Sequence, residues 1–315
     1  MSEFNSKVVK KQSFILDDDH FSKFCLEGLG VNAQFVQKEI SKWLEEDFGH
    51  GDSLLSSLKT QLSSQDFVIV AKSDFVISGL PIVAEVFRQA YPTRNHKLSS
   101  SFHDGDLISK GDIILSGSAH LHAILLSERV ALNIASHLSG IASSVHKAKE
   151  VLKAWNSHSK LSLVETRKTT PGLRIFEKYA VRCAGCRNHR HGLDSGAMLK
   201  ENHLRVFQGL KTIKVLKEKL PLLTGLEVEV TSLSEFREAL EFLPDIIMLD
   251  NFSIEDIKEA IKYKKEKQSP TKIEVSGNIT LDNLKDFAKL DLDFLSSGAL
   301  IHKSEWADMS LQISR

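Results

Sequence analysis

The second half of the chain repeats one pattern that strongly limits the possible folds: a short apolar run that ends in polar residues. The runs follow one another at intervals of about 20 to 35 residues, the length of one strand plus one helix. They cover residues 161–164, 197–199, 226–230, 245–249, 272–275 and 293–295. Alternating strands and helices indicate a parallel sheet, and this many units favour an α/β barrel.

Helical patterns lie between these strands. Apolar residues recur at helical spacing in 234–242 and again in 254–261, which predicts one buried stripe on each helix. Ser232 precedes the first helix and Ser253 precedes the second, each with an acidic residue three positions later. This is the pattern of a helix N-cap, so both helices are expected to begin there.

Charged and small residues follow the ends of the predicted strands. In parallel barrels the carboxyl ends of the strands carry the active site. The residues expected at this edge are Arg167, Lys168, Lys200, Glu229, Asp250, Ser276, Gly277, Ser297 and Gly298. Cations bind anions, paired carboxylates suit a divalent metal ion, and Ser-Gly turns expose backbone N–H groups to phosphate. The pattern predicts a site for a phosphorylated, polyanionic substrate.

The run 165–174 carries the first of these cations. Arg167 and Lys168 are adjacent, and they follow the apolar run 161–164 almost directly. Two neighbouring like charges at the end of a buried strand are costly unless anions neutralise them. The alternative interpretation is an ordinary surface loop after a strand.

The first half of the chain reads as a separate unit. Residues 1–20 are polar, and the segments that follow carry helix, strand, helix, strand and helix patterns. These segments are 35–47, 65–79, 80–90, 105–114 and 124–151, the last with an expected interruption near Gly140. Since no low-complexity linker separates the halves, a tight domain interface is expected.

Composition indicates a soluble cytoplasmic enzyme. Lys+Arg and Asp+Glu both number 41 among 315 residues, so no overall basic field is available for nucleic acid. The three cysteines argue against a disulfide framework. The N-terminus lacks an apolar signal core, and no apolar run is long enough to span a membrane.

Nine motifs, in order, resemble the quinolinate phosphoribosyltransferase family over roughly residues 45–311. Residues 166–169 read Thr-Arg-Lys-Thr and residues 188–190 read Asn-His-Arg. The remaining motifs are 46–52, 128–133, 137–142, 200–203, 227–230, 248–251 and 276–277. The chain differs from the family pattern at four positions. Glu165 replaces an Asp, and Ala184, Cys186 and Asn278 replace glycines. The change at Cys186 puts the local turn geometry in doubt.

The resemblance implies a fold and a reaction. The fold is an N-terminal α/β sandwich over residues 1–128 and an incomplete TIM-like α/β barrel over 129–302, with the tail 303–315 packing back on the first domain. The reaction joins quinolinate to phosphoribosyl pyrophosphate and releases pyrophosphate and carbon dioxide, giving nicotinate mononucleotide in NAD biosynthesis. Mg²⁺ is required. The family forms homodimers, or larger oligomers, in which Arg129 is donated to the neighbouring subunit's site.

The resemblance also implies residue roles. Lys168, Lys200, Glu229 and Asp250 are the catalytic residues, and Glu229 and Asp250 hold Mg²⁺ directly or indirectly. Arg129, Arg167 and Arg190 read the two carboxylates of quinolinate, because guanidinium binds carboxylate through parallel hydrogen bonds. The full substrate-binding set is Arg129, Thr166, Arg167, Lys168, His189, Arg190, Lys200, Ser276, Gly277, Asn278, Ser297, Gly298 and His302. His203 is also expected to have a role at a strand end.

Several alternatives remain open at this point. A related protein of the same fold would act on another heterocycle, and a degraded barrel would bind without catalysis. Lys200 would form a Schiff base in an aldolase. Cys183 and Cys186, with nearby histidines, have the spacing of half a zinc site, although two reduced packed thiols fit the sequence better.

Overall fold

The computed structural model describes residues 12–54, 57, 63–90, 96–155, 160–207 and 209–314. The chain divides into two compact units. The first comprises Met1–Ala142 with Glu305–Arg315, and the second comprises Ser143–Ser304. This division falls within one continuous helix, Leu121–Trp155, which also contains the predicted boundary at residue 128.

The first unit is built on a five-stranded antiparallel sheet. Its strands are β1 (Phe14–Ile15), β2 (Ser64–Ala71), β4 (Lys97–Ser100), β6 (Ile113–His120) and β13 (Met309–Ile313), in the order β1-β4-β6-β2-β13. A small separate pair joins β3 (Phe75–Val76) and β5 (Leu107–Ile108). Strand β13 pairs with β2 from Met309↔Ala71 to Ile313↔Phe67, so the chain's last strand lies in the first unit's sheet.

Helices flank this sheet. They are α1 (Asp18–Lys23), a π-helical turn (Phe24–Leu29), α2 (Ala33–Phe48), α3 (Leu80–Ala90) and the start of α4 (Leu121–Trp155). Asp17 and Asn32 cap α1 and α2 by accepting backbone N–H groups. Phe67 on β2 stacks on Phe87 of α3 with ring centroids 4.8 Å apart. This stack ties the sheet to a helix that is buried over most of its length.

The expected interruption of the long helix near Gly140 is wrong, because α4 is continuous from Leu121 to Trp155. The glycine serves close packing. A Cβ atom at this position would lie 2.1 Å from the carbonyl oxygen of Glu305. The returning C-terminal segment therefore reaches the helix backbone only because residue 140 has no side chain.

The second unit is the predicted α/β barrel, and it is incomplete. Six parallel strands form one sheet in the order β7-β12-β11-β10-β9-β8. They are β7 (Ser162–Val164), β8 (Ala197–Leu199), β9 (Leu226–Val230), β10 (Ile246–Asp250), β11 (Lys272–Ser276) and β12 (Phe294–Ser296). Strands β7 and β8 are the two edges. A single parallel bridge from Val164 to Arg187 adds the segment that precedes β8 to the β7 edge.

The helices of this unit follow the strands as predicted. They are α5 (Arg174–Cys183), α6 (Glu201–Val206), α7 (Thr212–Lys219), α8 (Leu233–Glu241), α9 (Ile254–Glu266), α10 (Leu284–Phe287) and α11 (Ala299–His302). Ser232 and Ser253 cap α8 and α9 through their hydroxyls. The predicted stripes are buried at Phe236, Ala239 and Leu240 on α8 and at Ile257, Ala260 and Ile261 on α9.

No helix in the described part of the chain is both long enough and apolar enough to cross a membrane.

Candidate active site

The carboxyl edge of the parallel sheet collects the predicted polar residues. Glu229 lies near the end of β9, Asp250 ends β10 and Ser276 ends β11. Asp250 and Ser276 are direct neighbours in the parallel register. Lys200 follows β8 immediately. Parallel register brings strand ends to one edge, so residues distant in sequence become neighbours here.

The two acidic residues lie among lysines. Lys200 Nζ is 2.8 Å from Glu229 Oε2, and the Glu229 side chain is only 15% exposed. Burial and the negative charge of Glu229 raise the pKa of Asp250, while Lys200 and Lys168 act in the opposite direction. This pKa pattern places the two carboxylates and the two ammonium groups within electrostatic reach of one another.

Gly298 lies where three predicted site residues meet. A Cβ atom built there would be 2.9 Å from Lys168 Cδ, 3.1 Å from Thr166 Oγ1 and 3.3 Å from His302 Cδ2. The absence of a side chain therefore lets these groups converge beside the end of β12. The neighbouring Ser297 is buried, and its hydroxyl donates to the Ile279 carbonyl at 2.7 Å. Its side chain is thus engaged in the fold.

A turn with left-handed backbone follows β11. Gly277 has φ 103° and Asn278 has φ 51°, while Asn251, after β10, has φ 56°. A Cβ at Gly277 would lie 2.3 Å from Asn251 Oδ1, so only glycine fits. Asn278 donates to the same oxygen at 3.1 Å. Asparagine tolerates its left-handed φ, so its replacement of glycine preserves the turn.

Arg167 and Arg190 form a pair of like charges. Burial and the charge of Arg167 lower the pKa of Arg190. Arg190 Nη1 donates to the Gly196 carbonyl at 3.0 Å. The Arg167 Nη1 atom is buried and has no hydrogen-bond partner among the described residues. A buried guanidinium donor beside another cation is the environment that an anion would complete.

His189 lies in a buried cluster that the sequence did not reveal. Its Nε2 atom is 3.2 Å from Glu227 Oε2 and 3.5 Å from Glu274 Oε1. Both glutamates are buried. Glu227 is the second residue of β9, and Glu274 is the third residue of β11. They also border a cavity of about 270 Å³ that is lined mostly by residues at the starts of the strands. Both Oε1 atoms are buried, and that of Glu227 has no hydrogen-bond partner among the described residues.

The contacts of His189 shift its protonation in opposite directions. The Arg190 backbone N–H donates to His189 Nδ1 at 2.8 Å, which assigns the proton of a neutral ring to Nε2. Burial lowers the pKa of His189, but hydrogen bonds to Glu227 and Glu274 outweigh it and raise the pKa to about 10. Burial also raises the pKa of Glu227.

The same geometry shows which ligand the cluster suits. The His189, Glu227 and Glu274 donor atoms lie within 4.8 Å of one another, close enough in space for one metal ion. A metal on Nε2 would need that nitrogen deprotonated, yet Nδ1 already accepts a hydrogen bond. The cluster therefore suits an Nε2–H donor on His189 better than a metal ion.

Other predicted residues are placed as follows. Arg129 is exposed on α4 in the first unit. His203 accepts the Lys200 backbone N–H at 3.0 Å and thereby caps helix α6. Cys183 and Cys186 are not in a disulfide, and among the described residues they are not part of a metal-ligand group. Burial raises the pKa of Cys186 to about 11.

The turn that contains Cys186 is not strained by the cysteine. Only Gly185 has a left-handed φ, 81°, whereas Ala184 and Cys186 do not. A Cβ at Gly185 would lie 2.3 Å from Lys149 Nζ, which donates to the Ala184 carbonyl at 3.0 Å. The glycine that the turn requires is therefore present, and the doubt about this loop is resolved.

The barrel and its strand-end residues define an enzyme site for anionic substrates. Family models for the quinolinate phosphoribosyl transferase N-terminal and C-terminal domains match residues 56–139 and 141–312. A probable nicotinate-nucleotide pyrophosphorylase from Synechocystis is 37% identical over 277 residues, covering 88% of this chain and 92% of the relative. A rat nicotinate-nucleotide pyrophosphorylase is 35% identical, covering 87% and 89%.

Solved structures agree with the sequence comparison. NadC from Streptococcus pyogenes superposes with a TM-score of 0.82 at 34% identity, covering 90% of this chain and 99% of that one. The chain belongs to the quinolinate phosphoribosyltransferase family. It is a pentosyltransferase that acts on quinolinate in NAD biosynthesis. The predicted family, fold class and reaction are confirmed.

The cluster of His189, Glu227 and Glu274 predicts a pH dependence of stability. A pKa of His189 raised from 6.5 to about 10 stabilises the fold fully below about pH 6.5, and this stabilisation is lost as the pH rises towards 10. In Glu227→Gln the pKa of His189 should fall, so the loss of unfolding free energy over this range should shrink by roughly 1 kcal/mol or more. Denaturant unfolding at a series of pH values measures it.

The exposed Glu238→Gln variant is the matched control and should follow the wild-type profile. An unchanged slope in Glu227→Gln would show that Glu227 does not raise the pKa of His189 in the folded protein.

Proposed function

We propose that Arg167 and Arg190, joined by Arg129, bind the two carboxylates of quinolinate. The single observation that supports this most directly is the buried, unpartnered Nη1 atom of Arg167 beside a second guanidinium. A dicarboxylate supplies hydrogen-bond acceptors and neutralises both charges at once. A substrate with one carboxylate leaves one cation without a partner, which makes quinolinate the preferred ring over nicotinate.

The phosphates of phosphoribosyl pyrophosphate are assigned to the part of the carboxyl edge away from the arginine pair. The groups around Gly298 and in the turn after β11 are its proposed ligands. They are Thr166, Lys168, Lys200, Ser276, Gly277, Asn278, Gly298 and His302. Ser297 is left out, because its hydroxyl and its backbone N–H both donate within the fold. The meeting of Lys168, Thr166 and His302 at Gly298 supports this assignment. The left-handed turn after β11 also supports it, since such turns present successive N–H groups to phosphate.

Glu229 and Asp250 are the proposed holders of Mg²⁺. Their donor set fits the ion, because Mg²⁺ prefers carboxylate oxygen and the pKa of Asp250 is already raised by burial and by Glu229. A cation near both would relieve their mutual repulsion. When bound, Mg²⁺ would neutralise the charge of the pyrophosphate leaving group.

The protein side of the mechanism follows from charge. Breaking the bond between ribose and pyrophosphate develops positive charge at the anomeric carbon, which the carboxylates of Glu229 and Asp250 stabilise. Lys168 and Lys200 stabilise the departing phosphate oxygens. The pyridine nitrogen then bonds to the anomeric carbon and becomes positively charged. That charge stabilises the electron pair left on the adjacent ring carbon when carbon dioxide departs, and a proton from water then bonds to that carbon. No residue forms a covalent intermediate.

The arginine assignment predicts a selective loss of quinolinate binding. Arg167→Met should raise the KM for quinolinate by about tenfold or more, since a hydrogen bond to a charged group contributes about 1.5–3 kcal/mol. Wild-type protein with magnesium and phosphoribosyl pyrophosphate should form nicotinate mononucleotide and carbon dioxide from quinolinate, and far less product from nicotinate. Product analysis measures both.

The exposed Arg237→Met serves as control and should keep wild-type constants. A wild-type preference for nicotinate or another heterocycle would favour the alternative of a related enzyme with a different substrate.

The carboxylates should affect turnover more than binding. Glu229→Ala and Asp250→Ala should each lower kcat by about 100-fold, because they act on charge that develops only in the transition state. Quinolinate affinity, measured by calorimetry, should change by less than about threefold. Equal losses in turnover and affinity would contradict the assigned role.

The donation of Arg129 between subunits predicts complementation. Arg129→Ala and Glu229→Ala should each be nearly inactive alone. Co-expression should produce mixed dimers with one intact site, and random pairing should restore about a quarter of wild-type activity. If Arg129 serves its own subunit, every site carries one defect, and the mixture stays as inactive as its parts.

A further inference from the structure

Helix α5 carries four charged residues on one face, and none of them is among the residues assigned to substrate. Arg174, Glu177, Lys178 and Arg182 follow the helical spacing of neighbours on one side. Glu177 and Lys178 are completely buried, at 0% exposure. Buried charges are costly unless each is paired, so their partners show what this face does.

Two of these residues hold the loop that carries Arg167 and Lys168. Glu177 Oε2 accepts the backbone N–H of Thr170 at 2.9 Å. Arg174 Nε donates to Thr169 Oγ1 at 3.0 Å. The helix therefore fixes the loop directly after the two cations at both a backbone and a side-chain position.

The same face holds the segment that carries His189 and Arg190. Lys178 Nζ donates to the His189 carbonyl at 3.0 Å, and Arg174 Nη1 donates to the His191 carbonyl at 3.0 Å. Arg182 donates to Asn188 Oδ1. Three residues of the helix thus contact the chain on both sides of Arg190, at residues 188, 189 and 191.

A buried ion pair links the two segments. Lys178 pairs with Glu165, which is also at 0% exposure and lies two residues before Arg167. Asn188 Nδ2 donates to Glu165 Oε2 at 3.0 Å and to the Lys178 carbonyl at 2.9 Å. Glu165, Lys178 and Asn188 therefore form one network that spans the end of β7, helix α5 and the segment before β8.

A buried ion pair alone is weak support for stability, since packed apolar residues often serve as well. This network differs because most of its hydrogen bonds end on the two loops that carry the arginine pair. Those two like charges repel each other, and a fixed backbone is needed to keep them at a common site before substrate arrives.

We infer that the charged face of α5 positions Arg167 and Arg190 for the quinolinate dicarboxylate, with Arg174, Glu177 and Lys178 as positioning residues. The inference rests on the proposed roles of Arg167 and Arg190. None of the three positioning residues needs to touch the substrate. Their effect should appear as a loss of quinolinate binding that is larger than any loss of overall stability.

Variants of the partly exposed Arg174 give the sharpest test. Arg174→Met should raise the KM for quinolinate by about tenfold, and misplacement near 1 Å lowers kcat/KM by up to about 100-fold. Arg174→Lys should recover part of the binding. Hydrogen exchange of residues 166–170 and 187–191 should become faster in Arg174→Met, with thermal unfolding close to that of wild type.

Lys178→Met and Glu177→Gln extend the test to the buried positions, and Lys178→Arg is the conservative rescue. Lys258→Met, on the exposed side of α9, is the matched control. A folded Arg174→Met with the KM and exchange rates of the control would overturn the inference. If exchange rates rise as expected while Arg167→Met binds quinolinate normally, the positioning holds and the substrate role of the arginines fails.

Discussion

Like charges held side by side are the constraint on which the site depends. Arg167 lies beside Arg190, Glu229 beside Asp250, and Glu227 beside Glu274. Each pair is partly or wholly removed from water, where repulsion is screened least. The parallel register brings Glu229 and Asp250 to the ends of the neighbouring strands β9 and β10, whereas Glu227 and Glu274 lie on β9 and β11, on either side of β10. Opposite charges then offset part of the cost: Lys200 contacts Glu229 and His189 contacts Glu227. The arginine pair has the least compensation, and it is where an anion fits.

The sequence predicts those features that depend on local pattern. The βα rhythm after residue 160 gives the six strands and their flanking helices, and Ser232 and Ser253 mark helix starts that the structure confirms. Strand ends show which residues reach the carboxyl edge, so Lys200, Glu229 and Asp250 are found together. The left-handed turn at Gly277 and Asn278 follows from the same reasoning, because few residue types accept that backbone conformation. Such features need only the residues near them in the chain.

Other features depend on contacts that spacing does not encode. Glu227 and Glu274 look like ordinary alternating strand residues, and only the sheet order shows that both face His189. The charged face of α5 has visible helical spacing, yet most such faces are solvated, so its burial is set by the tertiary fold. Gly140 suggests a helix break, but the helix continues through it. The glycine is needed there because the returning C-terminal segment occupies the space that a side chain would take. In each case a partner distant in sequence decides the outcome.

The proposed ligands would complete groups that the folded protein leaves partly unsatisfied. The buried donor of Arg167 and the repelling carboxylates are groups that the folded protein satisfies only in part. In the proposed assignment, a dicarboxylate ring at the arginines and a cation at the carboxylates would each supply the missing partner, so binding would release electrostatic strain that folding had to tolerate. The rigid supports around these groups, above all the buried Glu165–Lys178 pair, keep the like charges from moving apart in the meantime. Flexible loops would relieve the repulsion by separating the charges, and the affinity for both substrates would fall with it.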